Sequence, residues 1–572
     1  MPTSTPALPS IPVASSGTTV GIVVVVVLVL AVAAVLGYRR LRRTRRPTDA
    51  ERFDRFMTLA EPHLASVPRV HLVARVPLVG DATTTARPLA VGIVGDDPEA
   101  VARTQDSLGA QTAPPVAVAV GPATELLAAA TGGAAVVLVE AGDELAPLAL
   151  ERLGQAWTLA PDLAVLTCDE DRLTAAGGRE LPRLHQGPSA DGQLARGAAA
   201  GLVAIAPDRL SPAAAGLLGA AAVSRRLLAT VAAGPDAADH GHVPMLLLHR
   251  AAADPAGVRT TWDAAWTPED ALRAAELLGV ATTGAEPTPA GLVRLRHALP
   301  ATLPSVEVVV LFRNKPELTE RCVRSVLDRS TYAGPLRVQL VDNGSDDPDV
   351  PAMVERATAD PRVTAVRDDQ PFNYAALNNA AVQRSDADVV LLLNNDTEVR
   401  TPGWIEAMLE HALRDEIGAV GALLLFPDGT VQHAGAALGL HGFAGHPWQH
   451  RRPNEATPLG APGDGVRNWL AVTAACLMVR RSAWDAVGGF DEGFVVAGND
   501  VDLCLRLTAA GMRSVCLPHV ELLHDESKTR GSYVDPGDFA ASERSYGEFR
   551  TVGDPFFHPA LSLDDSTVVL RG

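Results

Sequence analysis

The sequence predicts an α/β protein with two tandem domains, each built on a mostly parallel sheet, behind one N-terminal transmembrane helix. Apolar strand-like runs alternate with amphipathic helix-like segments, which is typical of parallel α/β sheets. This alternation occurs twice, in a first domain (residues 88–255) and a second domain (residues 304–535). An apolar run near the N-terminus is long enough to cross a bilayer as a helix. We expect residues 256–303 to be a linker and residues 536–572 a C-terminal tail.

Composition limits the classes of function. The chain has 572 residues, too many for one ordinary domain, and its apolar fraction of 47% can fill large cores. Its formal net charge of −18 argues against nucleic acid as a partner. The cysteines are scattered without a CxxC pair, which indicates neither a disulfide framework nor a zinc site and suits a reducing compartment.

Residues 20–38 are the predicted transmembrane helix, and residues 1–19 are an extracytoplasmic tail. No charged side chain precedes the apolar run, whereas six arginines follow it between positions 39 and 46. The positive-inside rule therefore predicts a single-pass protein of the cell membrane with its N-terminus outside and its later domains in the cytoplasm. Residues 39–87 are then a basic juxtamembrane connector. A buried core helix is the alternative, and the flanking arginines disfavour it.

The two domains share an order of elements. Each begins with an apolar strand, a polar loop that contains Pro-Glu and an amphipathic helix, in "VGIVGDDPEAVARTQDSLGAQT" (91–112) and "VVVLFRNKPELTERCVRSVLDRST" (308–331). A second strand, a helix and a third strand follow. The third strand is "VVLVEAGDEL" (136–145) in the first domain and "VVLLLNNDTEV" (389–399) in the second. Internal duplication is the economical explanation.

Polar residues follow two strands of the second domain at the point where each strand ends. Asp342 follows one strand in "VDNGSDD", and Asn394, Asn395 and Asp396 follow another. Because ligands bind beyond the carboxyl ends of parallel strands, we expect Asp342 and Asp396 to face one crevice. A carboxylate there can hold Mg²⁺ or Mn²⁺ when substrate phosphates supply further oxygens. Closure of a turn is the alternative role for Asp342.

The segment "PFNYAALNNAAV" (371–382) predicts a loop that enters a helix. Asn373 is a candidate N-cap. Asn378 and Asn379 lie in the helix interior, where asparagine is a mediocre helix former. A hydrogen bond to a ligand is one explanation for these amides, and capping or solvent exposure is the other.

The stretch from Val487 to His524 is the most specific part of the sequence. Its beginning, "VGGFDE", predicts a mobile loop. Asp500 then stands at the N-terminus of an amphipathic helix, where the helix dipole stabilises a negative charge. A plain N-cap is the alternative role for Asp500. His524 ends the next strand.

Taken in order, these segments resemble the family 2 glycosyltransferases of the GT-A fold, which is Rossmann-like, and most closely their bacterial rhamnosyltransferase-like branch. The resemblance covers residues 304–535 through "VDNGS", "PFNYAALNNAAV", "LLLNNDTEV", "VGALLLFPDGTVQHAG", "VTAACLMVRR", "VGGFDE", "NDVDLCLRL" and "LHDES". It extends more weakly to the first domain through "TCDEDRL" (167–173) and "HVPMLLLHR" (242–250). There Gly121 and Gly142 stand where the second domain has Asp342 and Asp396. We therefore expect the first domain to be a degenerate copy that does not transfer sugar.

The resemblance implies an inverting, metal-dependent hexosyltransferase that uses a nucleotide-diphosphate sugar. Two asparagines replace aspartates of many relatives before Asp396, a departure that predicts weaker metal binding. The implied roles are nucleotide-sugar binding for Asp342, Asn373, Asn378, Asn394 and Asn395, divalent cation binding (Mn²⁺ or Mg²⁺) for Asp396 and His524, general base catalysis for Asp500, and an acceptor loop of Gly489, Phe490, Asp491 and Glu492.

The predicted function is transfer of a sugar to a cell-surface polysaccharide or a polyprenyl-linked glycan at the inner leaflet. Rhamnose from a dTDP donor is the first candidate sugar, and galactofuranose or another UDP-sugar is the next. The alternative is a catalytically inactive scaffold that binds a nucleotide sugar within a polysaccharide assembly complex. A glycoside hydrolase, which also uses paired carboxylates, fits poorly with a cytosolic site. The lack of a QxxRW stretch disfavours a processive polymerase.

Overall fold

The computed structural model of the protein describes most of the chain after the predicted connector. No helix within the described residues is both long and apolar enough to cross a bilayer. The predicted tail (1–19), transmembrane helix (20–38) and connector up to residue 86 lie outside the described residues, as does the start of the linker. The described residues are 87–128, 133–174, 176–198, 201–218, 223–251, 266–289, 291–525 and 535–571.

The first domain is built on an eight-stranded sheet with helices packed on it. Its strands are β1 (Leu89–Val94), β2 (Ala117–Val120), β3 (Ala135–Glu140), β4 (Glu144–Leu145), β5 (Val165–Leu173), β6 (Arg179–Arg183), β7 (Val203–Ile205) and β8 (His240–Arg250). Its helices are α1 (Pro98–Gly109), α2 (Ala123–Ala128), α3 (Ala149–Leu159), α4 (Ala190–Arg196), α5 (Pro212–Leu217) and α6 (Arg225–Ala232). The strand order is β2-β1-β3-β7-β5-β8-β4, with β6 beside β5.

The described part of the linker folds onto the first domain. It forms α7 (Pro268–Leu277) and a hairpin of β9 (Gly284–Pro287) and β10 (Val293–Arg296). A capping box fixes the start of α7, because the Thr267 side chain accepts from the Asp270 N–H and the Asp270 carboxylate accepts from the Thr267 N–H. The apolar faces of α7 and β10 share one hydrophobic cluster with α6 and β7.

The second domain is built on a ten-stranded sheet. Its strands are β11 (Val306–Phe312), β12 (Leu336–Asp342), β13 (Val363–Arg367), β14 (Val389–Asn394), β15 (Thr397–Val399), β16 (Ile417–Leu425), β17 (Val431–His433), β20 (Arg467–Trp469), β21 (Cys476–Arg480) and β22 (Arg513–His524), while β18 (Ala437–Leu438) and β19 (Ala444–Gly445) pair separately. Its helices are α8 (Pro316–Arg329), α9 (Val350–Thr358), α10 (Tyr374–Arg384), α11 (Trp404–Ala412), α12 (Arg481–Val487) and α13 (Asn499–Ala509). The strand order is β13-β12-β11-β14-β21-β16-β22-β15, with β17 beside β16 and β20 beside β22.

Both sheets are mixed, so the prediction of mostly parallel sheets is wrong. In the second domain, β11 runs parallel to β12 and β14, but β21 runs antiparallel to both β14 and β16. The cause is the connection between β16 and β21, which returns through short strands and loops without an α-helix. A strand that follows no helical crossover can enter the sheet in the opposite direction.

The two sheets share one topology. The path β2-β1-β3-β7-β5-β8-β4 has the same order and the same strand directions as β12-β11-β14-β21-β16-β22-β15. An equivalent hydrogen bond lies at the start of the third strand of each path, β3 and β14. Ala135 N–H donates to Pro88 O in the first domain, and Val389 N–H donates to Ser305 O in the second. Gly142 lies as many residues after Ala135 as Asp396 lies after Val389, so Gly142 occupies the position of Asp396.

The two domains meet around a buried carboxylate of the first domain. Asp191 on α4 binds the guanidinium groups of Arg414 and Arg513, and it accepts a hydrogen bond of 3.1 Å from Asn468 Nδ2. Burial alone would raise the pKa of Asp191, but Arg414 and Arg513 hold it well below its usual value. The carboxylate therefore stays ionised and ties the first domain to β20, β22 and the turn before β16.

Residues 535–571, here called the C-terminal segment, fold against the second domain and are not a free tail. The segment begins with α14 (Pro536–Tyr546) and α15 (Phe549–Val552). Its apolar side chains share a hydrophobic cluster with α13, β16 and β21, and the buried members include Ala541, Tyr546, Phe557, Leu561 and Leu570. The assignment to a tail failed because these residues lack helical or strand periodicity.

Hydrogen bonds hold the loop after α12, which the sequence predicted to be mobile, to α10. Asn379 Oδ1 accepts the Phe490 N–H at 2.9 Å, and Asn379 Nδ2 donates to Phe490 O at 3.0 Å. The buried Phe490 ring packs against Trp484 at 5.0 Å between centroids. Gly488 and Gly489 turn the chain with φ of 76° and 71°.

We expect Gly489→Ala to destabilise the protein more than Gly488→Ala. Both substitutions place a side chain at positive φ, which costs about 1–2 kcal/mol. A Cβ on Gly489 would lie 2.7 Å from Asn379 Oδ1, whereas one on Gly488 meets no atom within 4 Å. Urea unfolding of both variants measures the difference, and equal midpoints would contradict the packing described for this loop.

A second expectation concerns Asp554 of the C-terminal segment. Its carboxyl accepts the N–H groups of Leu438 and Phe556, and burial raises its pKa to about 7. The free energy of unfolding that this group contributes is fully present below its unfolded pKa of about 3.9. It is lost, by at most about 4 kcal/mol, as pH rises through the folded pKa of about 7. Unfolding midpoints between pH 4 and pH 8 should show this loss in the native protein and not in Asp554→Asn. The same pH slope in both proteins would refute the assignment.

Candidate functional site

A cavity of about 350 Å³ lies beside the end of β14. Its walls come from α10, the segment before β21, the start of α13, the loop around β19 and α14. Two of the residues singled out in the sequence, Asn394 and Asp500, both line it. The structure therefore brings a strand end and a helix N-terminus together, whereas Asp342 and Asp396, the pair expected to face one crevice, do not line this cavity.

Asp500 is the second residue of α13 and is held by backbone donors. Its Oδ2 accepts the Ala474 N–H at 3.0 Å, and its Oδ1 accepts the Val501 N–H at 2.9 Å. The half-buried carboxylate faces the cavity with lone pairs that these two donors do not use. A carboxylate that faces a cavity with unused lone pairs can accept a proton from a bound hydroxyl.

Asn394 links the end of β14 to the opposite wall of the cavity. The Tyr374 hydroxyl lies 3.5 Å from Asn394 Oδ1 and donates to Ala474 O at 3.2 Å. Ala474 is the residue whose N–H binds Asp500. Asn394, Tyr374 and Asp500 are therefore fixed around the backbone of one residue, Ala474.

Asp396 and His524 form a buried pair behind Asn394. Asp396 Oδ1 lies 3.3 Å from His524 Nε2, and the Asn394 side-chain amide lies 3.4 Å from the same nitrogen. His524 Nδ1 lies 3.2 Å from Gln432 Oε1, which accepts from Nδ1–H and leaves the Nε2 lone pair directed towards Asp396. Two ligands of one Mn²⁺ or Mg²⁺ ion lie about 3 Å apart, so this pair fits a shared cation.

Asp342 lies at the end of β12 but does not line the cavity with Asn394 and Asp500. Its Oδ1 accepts the Ser345 N–H at 2.8 Å, which closes the turn that the sequence offered as an alternative. Its Oδ2 accepts from Arg367 Nη1 at 3.1 Å. Asn395 is also directed elsewhere, because its Nδ2 donates to Thr319 Oγ1 on α8.

Asn373 and Asn378 bind the protein itself. Asn373 caps α10 through an N–H···O bond from Ala376, and its Nδ2 donates to Glu492 O at 2.9 Å. Asn378 is buried and donates to Tyr374 O within the helix. These contacts fix α10, which carries Tyr374 into the cavity. Of the predicted acceptor loop, Asp491 and Glu492 are exposed, while Gly489 and Phe490 pack against α10 and α12.

Sequence reasoning missed two residues that line this cavity and one that lies behind it. Tyr374 follows the predicted N-cap, and only the fold shows that its hydroxyl reaches Asn394. His433 lies in "TVQHAG"; its Nε2 accepts the Thr473 N–H at 3.4 Å, and burial together with His446 and His524 lowers its pKa. Asp538 lines the cavity from α14, in the segment that the sequence assigned to a tail.

Comparison with known proteins identifies the family of this chain. Residues 307–460 match the model of glycosyl transferase family 2. The chain is 35% identical over 451 residues to the O-antigen biosynthesis protein RfbC of Myxococcus xanthus, which covers 77% of this chain and 35% of that protein. It is 33% identical over 236 residues to the N-acetylglucosaminyl-diphospho-decaprenol L-rhamnosyltransferase of Mycobacterium tuberculosis, covering 36% of this chain and 72% of that enzyme.

One solved structure shows only a distant likeness to the chain. The crystal structure of GalNAc-T7 with UDP, GalNAc and Mn²⁺ matches with a TM-score of 0.35 and 14% sequence identity over 43% of this chain and 50% of that one. That likeness is too low to transfer a site. The family therefore rests on sequence, through the match over β11 to β19 and the relative of which 72% is covered. On that basis the chain belongs to glycosyltransferase family 2.

Proposed function

We propose that this protein is a membrane-anchored, inverting glycosyltransferase that moves a sugar from a nucleotide-diphosphate donor to a cell-surface polysaccharide or a lipid-linked glycan. One observation carries the proposal: Asn394 and Asp500 line a single cavity in the domain that matches the family. The cavity joins a candidate base to the end of a strand, which is where α/β sheets bind their ligands.

Asp500 is the proposed general base. Its carboxylate takes the proton from an acceptor hydroxyl, and the hydroxyl oxygen forms a bond to the anomeric carbon. The bond between that carbon and the diphosphate breaks on the opposite face, and the electron pair leaves with the diphosphate. One displacement of this kind inverts the anomeric configuration. The N–H groups of Ala474 and Val501 keep the carboxylate in place for this step.

Asp396 and His524 would hold the divalent cation, Mn²⁺ or Mg²⁺, with donor phosphates as further ligands. When bound, such a cation stabilises the negative charge that develops on the departing diphosphate. The support is the 3.3 Å separation of Asp396 Oδ1 and His524 Nε2, and the orientation of the imidazole by Gln432. Asn394 lies between this pair and the cavity and is the proposed contact to the donor.

Asp342 is the proposed contact for the nucleoside, since it ends β12 next to β11 in the same sheet. Asn373, Asn378 and Asn395 have partners within the protein, and we assign them a supporting role in holding α10 and the start of β15. Gly489 to Glu492 remain the proposed acceptor loop, with the exposed Asp491 and Glu492 as its contact residues.

Rhamnose is the first candidate sugar, and a polyprenyl-linked glycan at the inner leaflet is the first candidate acceptor. The rhamnosyltransferase of Mycobacterium tuberculosis supports both choices through its 33% identity over 236 residues. Residues 20–38 with the following arginines support a membrane anchor, an outside N-terminus and a cytoplasmic catalytic domain. We further propose that both domains are GT-A-like and that the first transfers no sugar, which their shared topology and Gly142 support.

The alternative is an inactive protein that binds a nucleotide sugar as part of a polysaccharide assembly complex. One observation favours it: the first domain has a glycine where the second has Asp396. Donor hydrolysis by the purified protein with Mn²⁺ or Mg²⁺, across several nucleotide sugars, separates the two candidates. Turnover of any of these donors supports the transferase, and binding without turnover supports the scaffold.

Asp500→Asn should lower the transfer rate by about 10²–10⁴, because the amide cannot accept the acceptor's proton. The affinity for the donor should not change, since the proton is taken from the acceptor. Asp502→Asn is the matched control: it lies on the same helix, binds Arg506 and Ser545, and does not line the cavity. Normal turnover by Asp500→Asn would show that Asp500 is not the base.

Asp396→Ala should weaken Mn²⁺ binding at least about tenfold in the presence of a nucleoside diphosphate and remove activity with it. His524→Ala should act in the same direction. Asp388→Ala is the control, because Asp388 precedes the same strand at its opposite end and binds the Ser305 N–H. Calorimetric titration with Mn²⁺ measures the change. A fully active, metal-dependent Asp396→Ala would refute the assignment.

A further inference from the structure

The C-terminal segment forms one wall of the cavity. Four residues of α14 line it: Asp538, Phe539, Ser542 and Tyr546. The helix is seated closely, since a Cβ on Gly498 would lie 2.6 Å from the Tyr546 hydroxyl and 3.0 Å from Ser542 Oγ. Gly498 has a φ of 90° and directly precedes α13. The start of α13, the helix that carries Asp500, is therefore closely packed against α14.

Asp538 holds the loop that leads to Asp500. Its carboxylate accepts three consecutive backbone N–H groups, from Val495 at 2.6 Å and from Val496 and Ala497 at 2.9 Å. The Asp538 side chain is buried, with 1% of its surface exposed. Hydrogen bonds to a buried carboxylate are stronger than neutral ones, so this contact fixes the backbone three residues before Asp500.

The later part of the C-terminal segment holds the opposite wall, residues 438–446. Asp554 Oδ2 accepts the Leu438 N–H at 2.9 Å, and Leu563 O accepts the His441 N–H at 2.7 Å. His441 and Phe443 line the cavity. One segment of the chain therefore fixes two facing walls.

The same segment is anchored in the first domain by a buried carboxylate on β5. Asp169 Oδ2 accepts from His558 Nε2 at 2.7 Å, and Asp169 Oδ1 accepts from His242 Nε2 at 3.0 Å and from the His185 N–H at 2.9 Å. The Ala560 N–H donates to His558 Nδ1, so Nε2 carries the proton and donates.

Asp169, His242 and His558 lie close enough together to suggest a metal site. A metal on His558 Nε2 would displace the proton that Asp169 accepts, while the Ala560 N–H blocks its transfer to Nδ1. The hydrogen-bonded arrangement satisfies each of these atoms without a metal. The cluster therefore serves as an anchor for the C-terminal segment.

We propose that the first domain braces the cavity of the second: it holds the C-terminal segment through Asp169 and His558, and that segment positions Asp500 through Asp538. The role of Asp500 rests on the proposed function, whereas the brace itself does not. Asp538 is a positioning residue, and the first domain contributes to the site without touching substrate.

Hydrogen exchange of the full chain tests the brace without any assay of activity. His558→Ala should raise amide exchange in residues 438–446 and 493–500 by about tenfold or more, the effect of losing one charge-assisted hydrogen bond. His558→Gln retains a donor near the Nε2 position and should restore part of the protection. Asp171→Asn is the matched control, because Asp171 is a buried carboxylate on β5 whose partners, Arg179 and His249, lie within the first domain.

Two results would overturn the brace: unchanged exchange in residues 493–500 of both His558 variants, or an equal rise there in Asp171→Asn. If His558→Ala does not fold, His558→Gln alone decides, by whether exchange in these residues rises above that of the native protein.

Transfer kinetics test the positioning step separately. Asp538→Asn should lower kcat by about tenfold or more and leave KM for the donor unchanged, because the amide cannot accept three N–H groups as a carboxylate does. Glu543→Gln is the control on the exposed face of the same helix, where Glu543 pairs with Arg550. A normal kcat for Asp538→Asn would refute the positioning role. Should the native protein transfer no sugar at all, the proposed function fails, and the exchange result still decides the brace.

Discussion

The site depends on the backbone of residues 473–475, the short stretch that leads into β21. Its peptide groups bind the cavity residues: Ala474 N–H holds Asp500, Ala474 O accepts from Tyr374, and Ala475 O accepts the N–H of Asn394. The stretch reaches the carboxyl end of β14 only because β21 runs antiparallel to that strand. A parallel β21 would begin at the other end of β14, and Asp500 and the end of β14 would not share a cavity.

Much of this arrangement follows from local sequence, and the rest does not. An apolar strand that ends in Asn394 and Asp396 predicts a ligand site, because a buried strand has no local need for such residues at its end. The pairing of Asp396 with His524, by contrast, requires β15 and β22 to be neighbours, with Thr397 opposite His524. That register joins residues more than a hundred positions apart, and no periodicity encodes it.

Asn378 and Asn379 show that asparagines inside a helix can suggest a ligand site and yet bind other parts of the protein. Asn378 and Asn379 are adjacent in a helix where asparagine is unfavourable, which suggested a ligand. The structure uses them inside the protein: Asn378 bonds within α10, and Asn379 fixes the loop around Phe490. Sequence identified these positions as unusual but could not name their partners, since the partner of Asn379 lies 111 residues away. Asp538 went unnoticed because it lies in the segment that the sequence assigned to a C-terminal tail.

The first domain is joined to the second by groups that are costly to leave unpaired. Asp191 is buried against Arg414 and Arg513, and Asp169 is buried against His558. Removing one partner of a buried charge costs about 3–5 kcal/mol, whereas the intact pair adds little stability. Loss of either partner would therefore destabilise the contact between the two domains, whether or not the first domain binds a sugar. Leu184 and Leu246 of the first domain also share the hydrophobic cluster of the second, so the two sheets are parts of one folded body.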